Sequence, residues 1–174
     1  MKKLLIASLL LAGSLMADDY YGIGGKRGVA PVTDAFYKAE CASCHFAYQP
    51  GLLPEKSWRK LMGDLPNHFG TDASLEPEDN QKILKYLVDN SAEKFTQYKR
   101  SRKINDSIAA NETPIAVSKT RYFIREHRGI PKRLIEQKEV KSLSNCAACH
   151  TTADTGSYSE RAIKIPNYGR WEDD

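Results

Sequence analysis

The sequence predicts a mainly α-helical protein in two halves, and three observations carry that prediction. Apolar residues recur at helical spacing: Trp58, Leu61, Met62 and Leu65 fall at i, i+3, i+4 and i+7, and Ile83, Leu84, Leu87 and Val88 form a second stripe. No stretch alternates apolar and polar residues convincingly, as a half-buried strand would. One five-residue pattern occurs twice, once in each half, as "CASCH" (Cys41 to His45) and "CAACH" (Cys146 to His150).

The chain of 174 residues opens with Lys2 and Lys3, then an uncharged run from Leu4 to Ala17, then Asp18 and Asp19. A basic start, an apolar run and a small residue before the acids read as a signal peptide over residues 1–17, although Leu15 is large for its place before the cut. The run is shorter than the roughly 20 apolar residues needed to span a bilayer, so export, not anchorage, is expected. Cleavage removes two lysines and no acid, which lowers the formal net charge from +4 to +2. Basic and acidic residues alternate through "EKSWRK" and "EPEDNQKILKYLVDN", a solvated surface that makes no case for nucleic acid. The basic cluster "YKRSRK" (Tyr98 to Lys103) reads as part of a linker.

The elements follow in chain order. Residues 18–32, with Gly22, Gly24, Gly25 and Gly28, read as a flexible leader. A short helix starts at Thr33 or Asp34 and runs through "AFYKAE" into the first motif. A second has Pro54 in its first turn, carries the Trp58 stripe, and is ended by Gly63 and Pro66. A third opens at Pro77 with Glu78 and Asp79 in its first turn, and runs to about Glu93. The first and third of these are expected to cross. Residues 96–113 are polar and read as a linker. A helix from Ser118 to Gly129 then carries His127 in its last turn. "RGIPKRLIEQKEVKS" reads as mobile, a short helix from Ser144 or Asn145 enters the second motif, and the chain after His150 is irregular.

The repeated pattern decides the chemistry. Four cysteines in an exported chain first suggest two disulfides, and two C-x-x-C pairs could instead hold zinc, but neither accounts for a histidine after each pair. C-x-x-C-H is the attachment signature of c-type haem. Two cysteines about one helical turn apart reach the two vinyl groups on one porphyrin edge, and the next histidine turns under the iron. Cys41, Cys44, Cys146 and Cys149 are therefore expected to attach two covalently bound haem c groups, with His45 and His150 as proximal iron ligands. Residues 18–98 then form an N-terminal haem domain and residues 99–174 a smaller, largely irregular C-terminal one.

A sixth ligand separates electron transfer from chemistry at an open iron. Two histidines remain, His68 and His127, for two vacant axial positions. His68 lies 23 residues after His45 and His127 lies 23 residues before His150, an opposite order that argues against a tandem repeat. The competing ligand is methionine, but Met1 and Met16 leave with the signal, and Met62 lies on the apolar stripe of a helix as core packing. Bis-histidine ligation is expected at both irons, His45 with His68 and His127 with His150.

The segments "ECASCHFAYQPGLLPEKSWRKLMGDLPNHFG", "ASLEPEDNQKILKYLVDN" and "NCAACHTTADTGSYSERAIKIP" resemble the dihaem cytochrome c (DHC-type) family of bacterial periplasms, in order and over nearly the whole mature chain. The resemblance implies a class I cytochrome c-like N-terminal haem domain, a less regular C-terminal domain, and electron transfer without enzymatic turnover. It also implies His68 and His127 as distal ligands. Related proteins are linked to a membrane b-type cytochrome and to a small monohaem cytochrome, so these are the redox partners it implies.

The alternative class is a dihaem peroxidase or small-ligand-binding haem protein with one labile distal ligand. Four histidines for four axial places argue against a permanently open iron. A thiol-based sensor is the third class, and thioether attachment would leave it no free thiol.

Overall fold

The structure is a computed structural model and describes residues 26–171; the signal-peptide reading lies outside the described residues. Six α-helices carry the fold: α1 (Ala35–Cys41), α2 (Glu55–Met62), α3 (Pro77–Asp89), α4 (Lys99–Asp106), α5 (Arg121–His127) and α6 (Lys132–Ile135). The mainly α expectation holds.

The first three helices form for the reasons their sequences give. The Asp34 carboxylate accepts the Tyr37 N–H at 2.7 Å and caps α1. α2 follows Pro54, ends at Gly63, and buries Trp58 and Met62 on one face. Leu65 lies in the turn beyond α2 and completes the same stripe. α3 starts at Pro77 and stops at Asp89, short of the predicted Glu93. The Asn90 side chain donates to the Tyr86 carbonyl and Ser91 Oγ to the Val88 carbonyl, which ends the helix. Ala92 N–H then turns away to the Leu53 carbonyl. α1 meets α3 as expected, with Tyr37 and Tyr86 ring centroids 5.4 Å apart. Met62 lies in a core cluster with Tyr37, Leu53, Trp58, Leu65, Ile83 and Leu87.

The predicted linker is a helix. α4 has one fully buried apolar residue, Ile104, too little to register as a stripe, and Ser101 beside it is small enough to pack on Gly51. The predicted leader supplies its start: Lys26 and Gly28 carbonyls accept the N–H groups of Lys99 and Arg100, at 2.9 and 3.2 Å. The described part of that leader is fixed, with Val29 2% exposed in a second core cluster beside Leu52, Ile104, Tyr122, Ala153 and Tyr158.

The second half is better ordered than its sequence implied. Thr120 caps α5 through its hydroxyl, after a turn at Val117–Lys119, so α5 starts three residues later than predicted and places His127 at its end. The segment read as mobile holds α6 and buries Leu134 and Val140. A 3-10 turn, Cys146–Ala148, stands where a short helix was predicted. β1 (Lys164–Ile165) and β2 (Gly169–Arg170) pair antiparallel where no strand was expected; two residues each are too few to show alternation.

The halves meet backbone to backbone. Val29 N–H donates to the Gly156 carbonyl at 2.9 Å, and Gly28 and Gly156 both adopt positive φ, 75° and 79°. A Cβ on Gly28 would overlap the Gly156 carbonyl oxygen, and one on Gly156 would overlap the Val29 carbonyl oxygen. Gly28→Ala should therefore destabilise the protein by roughly 3 kcal/mol in a denaturant melt, summing backbone strain and overlap. Gly129→Ala, where a Cβ meets open space, should change little.

Candidate functional site

The eight candidate residues form two groups. In the first, Cys41 is the last residue of α1, and the chain turns through Cys44 to His45. His45 Nδ1 lies 2.8 Å from the Phe46 carbonyl. Donation from Nδ1 leaves the lone pair on Nε2, the tautomer a metal ligand needs. His68 approaches from a tight loop after α2. Thr71 N–H donates to the His68 carbonyl at 3.0 Å across Phe69 and Gly70, both at positive φ (51° and 89°). That pair of angles is the type I′ turn, costly at Phe69, whose side chain is 61% exposed and whose ring stands edge-on to His68. The imidazoles of His45 and His68 face each other with centroids 6.1 Å apart and planes inclined by 22°.

In the second group, α5 delivers His127, whose Nδ1 lies 2.8 Å from the Phe123 carbonyl one turn back. The Phe123 ring stacks on it at 3.8 Å. His150 N–H donates to the Cys146 carbonyl at 2.9 Å, and that turn brings the histidine back over its cysteines. The rings of His127 and His150 are again 6.1 Å apart, but inclined by 72°.

Burial lowers the pKa of three of the histidines. It is the leading cause that lowers His150 to about 4, with the nearby His127 and Arg100 adding to it. His68 is lowered by burial and then by His45, and His127 by burial against the opposing pull of the Phe123 carbonyl. Burial also raises Cys41 and Cys146, each to about 11, and raises Cys149. Cys41, Cys146 and Cys149 are partly buried, and thiols that hold their protons are poor nucleophiles, which weighs against a sensor built on these three.

The donor set fits an iron porphyrin. With metal–nitrogen bonds of about 2.0 Å and a ring nitrogen about 1.1 Å from its centroid, two imidazoles on one iron stand about 6.2 Å apart. Both pairs match that spacing. Among the described residues no three His, Cys, Asp or Glu side chains converge as a zinc cage requires, so in-plane ligands would have to come from a macrocycle. The second pair opens on a cleft walled by Phe123, Ile130, Val140 and Ile163 and by Cys146 and Cys149. An apolar slot with thiols at its edge suits a flat hydrophobic ring.

Two residues that sequence reasoning did not single out join the groups. The Tyr48 ring lies 5.2 Å from that of His45, while its hydroxyl donates to the Ser144 carbonyl beside Cys146. Burial and then Cys146 raise its pKa. Arg100 walls the second cleft. Tyr48 carries no sequence signal beyond its nearness to the first motif, and Arg100 lay in the segment read as linker.

The chain is similar to known proteins. The family model described as dihaem cytochrome c matches residues 37–158, a span containing all eight candidates. A diheme cytochrome c of Shewanella baltica is 37% identical, with 79% of this chain and 97% of that chain covered and a TM-score of 0.66. A diheme cytochrome c of Rhodobacter sphaeroides is 40% identical, covering 75% of this chain and 100% of that chain, TM-score 0.66. A further Rhodobacter sphaeroides structure is 40% identical over 74% of this chain and 99% of that one, TM-score 0.59. No curated protein matches. The intact mass of the denatured chain should exceed its polypeptide mass by two haems. Replacing Cys146 and Cys149 with Ala should remove one increment and leave the other.

Proposed function

The chain belongs to the dihaem cytochrome c family and carries two covalently bound haem c groups, and we propose that it is a periplasmic electron carrier with each iron held between two imidazoles. His45 pairs with His68, and His127 with His150. The observation that carries this reading is the 6.1 Å ring separation found at both sites. Cys41 with Cys44, and Cys146 with Cys149, hold the groups through thioethers.

Bound haem supplies the one-electron ferric/ferrous couple. The protein's part is to keep both axial positions filled, so that little geometry changes when an electron arrives or leaves. The type I′ turn holds His68, and the Phe123 carbonyl with its stacked ring holds His127. Two imidazoles favour the ferric state more than an imidazole–methionine set does, so both potentials lie below those of methionine-ligated cytochromes. Tyr48 touches both sites and gives them a common wall, which supports exchange between them.

Export rests on residues 1–17. No helix among the described residues is long and apolar enough to cross a membrane. The partners this reading carries are redox proteins, with a membrane b-type cytochrome and a small monohaem cytochrome the specific pair. A peroxidase with one labile ligand is the competing reading, and the two equal ring separations favour the carrier.

Replacing His68 or His127 with Ala should leave the haem attached while converting one iron of the two from low to high spin, with new carbon monoxide binding after reduction. A variant that kept the native spectrum would remove that histidine from the ligand set. Ferric paramagnetic resonance should resolve two unlike low-spin signals, because the ring planes differ by 22° at one site and 72° at the other.

A further inference from the structure

We propose that Arg100 is a fixed positive charge that raises the reduction potential of the second haem above that of the first, so that an electron entering the protein settles at the His127–His150 site. The inference rests on the reading that these two histidines face the second iron.

Arg100 leaves the first turn of α4 and enters the second site from the side. Its guanidinium donates to the Tyr122 hydroxyl at 2.8 Å and to the Tyr158 carbonyl at 3.0 Å. It also lies over both tyrosine rings, 5.7 and 5.4 Å from their centroids. The Tyr158 ring in turn stands edge-on to His150 at 5.3 Å. Arg100 walls the same cleft as His127 and His150.

None of these partners carries a negative charge. Among the described residues Arg100 makes no ion pair, and Glu126, which also walls the cleft, is bonded to Arg125. Its Nε is buried without a partner. A half-buried cation held only by neutral oxygens and π faces is costly to fold and keeps its field.

The electrostatics run in one direction. The oxidised site is one unit more positive than the reduced site, so a nearby cation disfavours oxidation and draws the electron in. The surface leans the same way. Residues 99–171 hold fifteen Lys and Arg against seven Asp and Glu, while residues 26–98 hold nine against ten. Exposed charges are screened by salt and a buried guanidinium much less so, which lets experiment separate the two.

The test is an optical redox titration of the purified holoprotein at low and high salt, with Arg100→Met and Arg100→Lys. His68→Ala, which marks the first haem by its high-spin spectrum, serves as the background that assigns the steps. In Arg100→Met the reduced-to-oxidised ratio of the second haem at a fixed ambient potential should fall about tenfold, a drop of about 59 mV for one electron. The first haem should not move, Arg100→Lys should retain most of the native value, and the Met shift should persist at high salt. No shift, an equal shift at both haems, or a loss in Lys as large as in Met would overturn the proposal. The ligation reading is judged separately: a His127→Ala variant that stays fully low-spin overturns it, whatever Arg100 does.

Discussion

Two imidazoles held about 6 Å apart at each of two sites is the constraint on which the fold turns. Each spacing is kept by backbone devices. One is a strained turn at Phe69 and Gly70, and the other is the last turn of α5 with the Phe123 carbonyl behind the ring. The haem groups that the family carries belong to the interior, as metals do in other small domains that order around them.

The sites are alike in spacing and unlike in construction. His45 is exposed and its partner comes from a loop. His150 is more enclosed, faces a helix-borne partner, and shares its surroundings with a guanidinium. Under the proposed ligation, one ligand set serves two potentials, set by burial and charge rather than by ligand identity. The join between the halves fixes both environments. Buried Gln49 donates to the Ala153 carbonyl and accepts from Tyr158, and the Gly28–Gly156 crossing locks the segment whose carbonyls accept the first N–H groups of α4.

Much of this was legible in the sequence, and what was missed has a common cause. The motifs, α1 to α3 and the position of His127 were readable because their signals are local: a cap at Asp34, a stripe at Trp58, prolines and glycines at the ends. α4 was not, because Ile104 is its one fully buried apolar residue and its N–H groups are answered by residues some seventy positions earlier. The fixed segment at Val29 was hidden for the same reason, since its glycine signals a turn or a close approach equally well and the partner is Gly156. β1 and β2 are too short to show a period. Arg100 and Tyr48 are ordinary residues until the fold sets one over Tyr158 and the other between the two motifs.

The proposed function requires two imidazole nitrogens at each iron. Near-infrared magnetic circular dichroism of the oxidised protein reads that set directly, because the energy of the low-spin charge-transfer band differs between two imidazoles and an imidazole with a thioether. All the iron should fall at the bis-imidazole energy. A band at the methionine position, or high-spin intensity equal to one iron in two, would contradict it.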